Sequence, residues 1–279
     1  MNRLLAETAS VMRRRERGFA LLVVLWVLGF LALMGSHFAA DGRTETALAR
    51  NMRAAAVVEA ATAGAIQQEI FGLLQSPEIN RRDIGVARQV RAGATLVSLV
   101  VEDERNWLNP NIAPAAELAA LLEQAGADTR SAASIAAAIL DWRTGGTLPR
   151  PGGAKAPQYQ AAGRSYGPPG AAFQSVAELG LVLGMTPTLL DRVSPHLTVF
   201  TELNPVGGSS DPSVARAIQA AAPPGSLPEV GGLDPITVVR ITAIGHQPDN
   251  ASIMLRAVVR LAGAPDGLPF EILSWRRTG

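Results

Sequence analysis

The side chains able to do chemistry in this 279-residue chain are few and dispersed. Cysteine is absent, which excludes disulfides, thiolate nucleophiles and cysteine metal sites. The three histidines, His37, His196 and His246, lack the short spacing by which one element presents two ligands to a metal. They read as structural or surface residues. Asp141 and Glu178 have the right chemistry for an acid and base pair. No local pattern brings them together, so each reads as a capping or solvent-facing residue. The sequence has no Gly-x-Ser-x-Gly elbow, phosphate-binding loop or dinucleotide fingerprint. The residues that could carry a reaction thus point away from an enzyme.

The elements say more. The chain is 48% hydrophobic with a formal charge of +1, so no basic excess marks it for nucleic acid. With Gly 27 and Pro 19 but only 5% aromatics, a loop-rich body is expected. In the first eighteen residues Arg3, Arg13, Arg14, Arg15 and Arg17 outnumber Glu7 and Glu16. Phe19 to Ala40 then contains no Asp, Glu, Lys or Arg. As a helix this run extends about 33 Å, the hydrocarbon thickness of a bilayer. The arginines before it and Asp41 after it put the N-terminus in the cytoplasm and the body outside the inner membrane. Helix formers continue from Arg43 to about Leu74, with Gly42 as the weak link. Leu48, Val57 or Val58, Ala61, Ala65, Ile66, Ile70 and Leu74 form an apolar stripe expected to pack on the body. Ser76-Pro77 is the expected stop.

Three readings of the N-terminus compete: a cleaved secretory signal leaving through His37-Phe38-Ala39-Ala40, a plain signal anchor, and a processed leader. The third rests on Arg17-Gly18-Phe19. A basic leader ending in Gly, followed at once by a bulky apolar residue and a membrane helix, resembles a type IV prepilin processing site. That resemblance implies cleavage between Gly18 and Phe19 by a prepilin peptidase, with the apolar run retained. Most members of that group carry Glu as the fifth mature residue, held to pair with a neighbouring subunit's amino terminus. Here that position is Val23. A buried charge is costly in a bilayer without its partner, so Val23 removes both cost and contact. A subunit at a filament tip, with none above it, fits that loss.

The body extends the resemblance. Arg88 to Val101 alternates as a strand. Immediately after it, Glu102, Arg105, Leu108 and Asn109 echo a motif of the minor pseudopilin K family of type II secretion systems, with Asn106-Trp107 departing from it. Residues 114 to 142 read as two alanine-rich helices broken at Ala125-Gly126-Ala127-Asp128, and Ile139-Leu140-Asp141-Trp142 is similar to the family's helix ending. Further acids come after that ending in relatives and are associated with calcium; here Thr144-Gly145-Gly146 stands there, so no calcium site and no other cofactor is carried over. Thr144 to Ala172 reads as a Gly- and Pro-rich loop in which Tyr166 to Gly170 resembles a reduced family segment. Phe173 to Thr186 resembles the family's "S-x-x-E-L-x-x-V-x-G-M-T", with Ser175 and Glu178 as a capping box and Gly184 ending the helix. Leu189 to Val199 and Asn204-Pro205 echo the family's next two segments. The Gly126 and Gly184 breaks also resemble helix-hairpin-helix units, but their few cations, Arg192 the nearest, favour packing over DNA contact. Ile236 to Ile244, Ala251 to Leu261 and Phe270 to Trp275 read as an antiparallel meander with turns at His246 to Asn250 and Gly263 to Gly267.

The expected fold is α+β and pilin-like, with a large helix-hairpin-helix or SAM-like insertion. Its expected parts are a leader at 1–18, a transmembrane helix at 19–40 and its periplasmic continuation at 41–76. A β-part at 84–105 and 234–279 and an insertion at 106–233 complete it. The resemblance implies a minor pseudopilin that caps the secretion pseudopilus and helps start its assembly. Implied partners are I- and J-like subunits, the prepilin peptidase, the membrane and exported substrate, with no nucleic acid. The alternatives are a signal-anchored periplasmic binding module or enzyme, and a type IV pilus minor tip subunit.

Overall fold

The computed structural model describes residues 2–75, 84–203, 205, 209–223, 237–247, 252–261 and 267–278, with side chains described at 19–37 and from 45 to 277 within those ranges. The chain divides into two compact units, Met1–Val58 and Glu59–Gly279. Helix α1 spans Asn2–Gln75, so the first unit is helical. Its segment Phe19–His37 is the part long and apolar enough to cross a membrane, with mean hydropathy 2.4 and none of it buried. Leu48, expected on the packing stripe, is exposed.

The second unit holds two cores. In the first, the end of α1 presents Thr62, Ala65, Ile66, Ile70 and Leu73 as its buried face. The stripe thus runs through Thr62 and Leu73 in place of Ala61 and Leu74; the 3.6-residue period allows either phase. The sheet has five antiparallel strands in the order β1-β2-β3-β4-β5: Arg88–Ala92, Thr95–Asp103, Val238–His246, Ser252–Arg260 and Glu271–Thr278. Glu69 pairs with Arg88 of β1, and Glu59 with Arg277 of β5 at 3.0 Å, so α1 is tied to both margins of the sheet. Alternation then sorts the strands: Val97, Leu99, Val101, Val239, Ile241, Ala243, Leu255, Ala257 and Val259 are buried. Their strand neighbours Glu102, Arg240, Arg256 and Arg276 point to the other face.

Arg88 to Val101, expected as one strand, is a hairpin. Ala92 pairs with Thr95 across a two-residue loop, and Gly93 at φ 62° supplies the left-handed residue such a tight turn requires. A single glycine between alanines, Ala92-Gly93-Ala94, does not by itself separate a turn from a continuing strand.

The insertion between β2 and β3 carries the second core. Helices α2 (Ala115–Gln124), α3 (Thr129–Arg143), α4 (Ala156–Ala161), α5 (Pro187–Val193) and α6 (Pro212–Ala221) are accompanied by short 3₁₀ turns. Asp128 caps α3 by accepting from Ser131 N at 3.1 Å, and Asp211 caps α6 through Ser213 N and Val214 N. Alanines 132, 136 and 138 let α3 approach its neighbours closely around Ile135, Ile139 and Trp142. Val176–Leu181, expected as an α-helix, is a 3₁₀ helix. Its capping box is partial: the Glu178 carboxylate accepts from Gln174 N at 3.1 Å and from the Ser175 hydroxyl at 3.3 Å, but Ser175 caps no backbone N–H. Gly184 lies beyond that helix at φ 90°, and a Cβ there would approach Ile135 Cγ1 to 2.9 Å. The 144–172 stretch, expected as a loop with few anchors, contains α4 and the fully buried Tyr159. The stop at Ser76-Pro77, Asn204, the turn residues 248–250 and 263–266, and the segment 224–236 lie outside the described residues.

Candidate functional site

Two regions carry the features expected of the chain: the apolar run of α1, and the joint by which sheet and insertion are held together. In the run, Phe19 is helical and exposed, and Val23 is 46% exposed on the same helix. Gly18 lies within α1, and its surroundings are outside the described side chains. Trp26 and Phe30 stack one turn apart with ring centroids 6.4 Å from each other. Ser36 donates back to Leu33 O at 2.7 Å, so the one hydroxyl in the run is satisfied internally. The exposed surface from Phe19 to Met34 is therefore almost wholly apolar, a surface that needs lipid or other helices around it.

The joint is built where β2 ends. Asp103 accepts from Arg105 N at 2.9 Å and starts a 3₁₀ turn over Glu104–Asn106, and that turn drives the Glu104 side chain inward. Glu104 is fully buried. Its carboxylate accepts two parallel bonds from Arg240 of β3, Nε at 2.9 Å and Nη2 at 2.7 Å, and a third from the Thr198 hydroxyl at 2.5 Å. Arg240, 9% exposed, also lies 3.5 Å over the Trp107 ring. Fork geometry and ring stacking together need arginine, which lysine could not replace. Charge, fork and ring thus lock the sheet (Arg240) to the insertion (Thr198).

Around Trp107 three asparagines, one before it and two after, each pin a different distant segment. Asn106 accepts from Ser210 N at 2.9 Å, and Asn109 donates to Thr201 O at 2.6 Å. Asn111 holds Phe173 from both sides, donating to its carbonyl at 3.0 Å and accepting from its N–H at 2.7 Å. Leu108 forms a parallel bridge with Leu197. Of the family-like residues in this stretch, Leu108 and Asn109 are buried here and Arg105 is bound to Asp103. Glu102 sits beside Arg240 in the strand register, and its pKa is raised, chiefly by burial.

Around Asp141-Trp142 the insertion closes on itself. Trp142 stacks on Phe173 with centroids 5.8 Å apart and meets Tyr159 and Tyr166 at 6.0 and 6.4 Å. Asp141 is 1% exposed and accepts from Arg150 Nη1 and Arg150 N, both at 3.0 Å. A Cβ at Gly153 would collide with its carboxylate. Lys155, 4% exposed, drives its ammonium onto the backbone carbonyls of Asp141 at 2.6 Å and Thr144 at 2.5 Å. The carboxylate and both carbonyls already serve cations of the chain itself, and no cluster of metal-ligating side chains occurs among the described residues.

Asp141 and Glu178 are held by different partners, Arg150 and the Gln174–Ser175 turn, and do not form a pair. His196 meets Asp211 at 2.7 Å, His246 is exposed at the end of β3, and His37 is exposed on α1. The two glycine-broken hairpins clasp each other: Arg192 of α5 donates to Ala125 O at 2.8 Å beside Gly126, while Gly184 lies against Ile135 of α3. The cation nearest the second hairpin is therefore engaged in packing the first. Glu104, Arg240, Thr198 and Lys155 escaped the sequence reading. Arg240 sits at an outward position between the inward Val239 and Ile241, so nothing local distinguishes it from a solvent-facing strand residue.

Comparisons with known proteins agree with this architecture. Residues 96–202 match the family model for type II secretion system (T2SS), protein K. A chain of the crystal structure of the GspK–GspI–GspJ complex, from the enterotoxigenic Escherichia coli type 2 secretion system, superposes with a TM-score of 0.53 at 12% identity. The match covers 86% of this chain and 99% of that one. No curated protein sequence matches the chain. The fold is accordingly α+β and pilin-like, and the resemblance to the K family is the one the family model returns.

Proposed function

We propose that this chain, whose residues 96–202 match the protein K family of type II secretion systems, is a minor pseudopilin that caps the pseudopilus tip and helps initiate its assembly. The observation that carries this reading is an exposed, uncharged helical run at Phe19–His37 in the same chain as a protein K region. Such a run enters the inner membrane in one pass, and the arginines before it keep the N-terminus cytoplasmic and the body periplasmic. Cleavage between Gly18 and Phe19 by the prepilin peptidase leaves the run at the new N-terminus. Val23 then offers no carboxylate to a subunit above, which suits a subunit with none above it. The fold likeness to a chain of the GspK–GspI–GspJ complex supports I- and J-like subunits as its neighbours, packing along the apolar helix. Exported substrate meets the periplasmic body in this reading. No residue is assigned a catalytic role.

N-terminal sequencing of the protein purified from its own membrane tests the assignment. The mature chain is expected to begin at Phe19, and Gly18→Val is expected to leave the leader in place. An intact Met1, a start near Asp41, or normal shortening of Gly18→Val would instead support a signal-anchored periplasmic module.

A further inference from the structure

The open face of the sheet and the insertion enclose a cleft of about 520 Å³ beside the joint, whose Arg240 and Thr198 help line it. One wall is the insertion, with Val176, Leu190 and Phe200 partly exposed. The other is the sheet, which contributes Arg240, Arg256 and Arg276 from three successive strands over a floor of Val258. Asp191 is the only acid among the lining residues.

These arginines are placed unfavourably. Arg256 and Arg276 are direct register partners across β4 and β5, where like charges repel. Arg256 Nε is buried and has no hydrogen-bond partner among the described residues, so its desolvation is offset by no bond. Burial first, and the neighbouring Arg240 cation second, lower the pKa of Arg256. Arg240 lends charge but few donors, since Glu104 takes its fork. Glu104 is committed to that pair; Glu102, across Arg240 on β2 and not among the lining residues, joins Glu104 in offsetting part of the charge of Arg256 without bonding it. Sites that break local rules in this way are the ones at which a partner restores the balance.

We infer that this cleft is a docking site for an acidic peptide segment of a partner protein, whose carboxylate is held by Arg256 and Arg276 while an adjacent apolar side chain rests on Val258, Leu190 and Phe200. Charge complementarity selects the acid: among the described residues neither guanidinium forms a salt bridge, and the cleft they face has one acid on its opposite wall. Guanidinium forks bind carboxylates bidentately. The apolar floor selects a peptide over a bare anion, and the volume suits a few residues. β5 is the last strand of the sheet, so the cleft lies at the sheet margin.

The test is a titration of the full chain in detergent with a short fluorescein-labelled peptide alternating leucine and glutamate, read by anisotropy at low salt. Binding is expected, weakening as salt rises. The Arg256→Gln/Arg276→Gln variant should lose about tenfold in affinity or more, and exposed Arg276→Gln alone several-fold. Arg91→Gln, on β1 and outside the cleft, should change nothing. Removal of the opposing acid in Asp191→Asn should tighten binding. Absence of binding by the native chain would overturn the inference. So would equal affinity for the glutamine version of the peptide, native affinity in Arg276→Gln, or equal loss in Arg91→Gln. If the double variant fails to fold, Arg276→Gln alone decides. The titration is independent of where the leader is cut, so it and the sequencing test fail separately.

Discussion

Replacing Glu104 by Gln leaves the shape of the joint intact and removes its charge. The Arg240 guanidinium, 9% exposed and stacked on Trp107, would then be a buried cation without its hydrogen-bonded carboxylate, with Glu102 of β2 as its neighbouring acid. Breaking one side of a buried pair in this way costs about 3–5 kcal/mol, because the remaining charge stays desolvated. Thr198 would also trade a charge-assisted bond for a neutral one. In a unit of this size about 1 kcal/mol moves Tm by about 2–4 °C, so a loss on the order of 10 °C is expected. Arg240→Met should cost a similar amount by stranding Glu104. The two changes together should cost well under their sum, since neutral replacement of both partners removes the uncompensated charge. Urea unfolding of the full chain in detergent, followed by tryptophan fluorescence, measures all four corners of the cycle. A cost below about 1 kcal/mol for Glu104→Gln, or additivity within about 0.5 kcal/mol, would show that the pair does not hold sheet and insertion together.

Lys155→Met should destabilise the insertion by about 2–4 kcal/mol, because the carbonyls of Asp141 and Thr144 lose their cation while remaining largely enclosed. For the same reason thermal unfolding of the native chain should be indifferent to added calcium or a chelator, and a clear rise in Tm with calcium would refute that account of the segment. Glu117 gives a pH signature. Burial raises its pKa above the ordinary 4.5, and its Oε2 is buried with no hydrogen-bond partner among the described residues. The folded state therefore binds a proton more tightly than the unfolded state. Its contribution to stability is fully present below 4.5 and is lost as pH rises through the raised value. Glu117→Gln should accordingly be more stable than the native chain at neutral pH and indistinguishable from it well below 4.5. Thermal melts across that range check the sign, and a gap that widens on acidification would refute it.

Local features are legible in the sequence because their causes are local. An uncharged run from Phe19, alternation in β3 and β4, the alanine-rich helix ending at Asp141-Trp142, and glycines at 126 and 184 each follow from propensity, period or backbone freedom within a few residues. The hairpin at Gly93 and the 3₁₀ turn at Val176–Leu181 depart from expectation for a related reason. One glycine, and one helical period, do not distinguish neighbouring backbone solutions until packing chooses between them. Tertiary structure alone decided the joint, the Lys155 cradle and the arginine cleft. Glu104 meets Arg240 across 136 residues and Thr198 across 94, and Asn109 meets Thr201 across 92. Nothing in the neighbourhood of either partner announces such a pair. A charged residue in sequence looks solvated until the fold removes its water, and only then must it find the partner that the structure supplies.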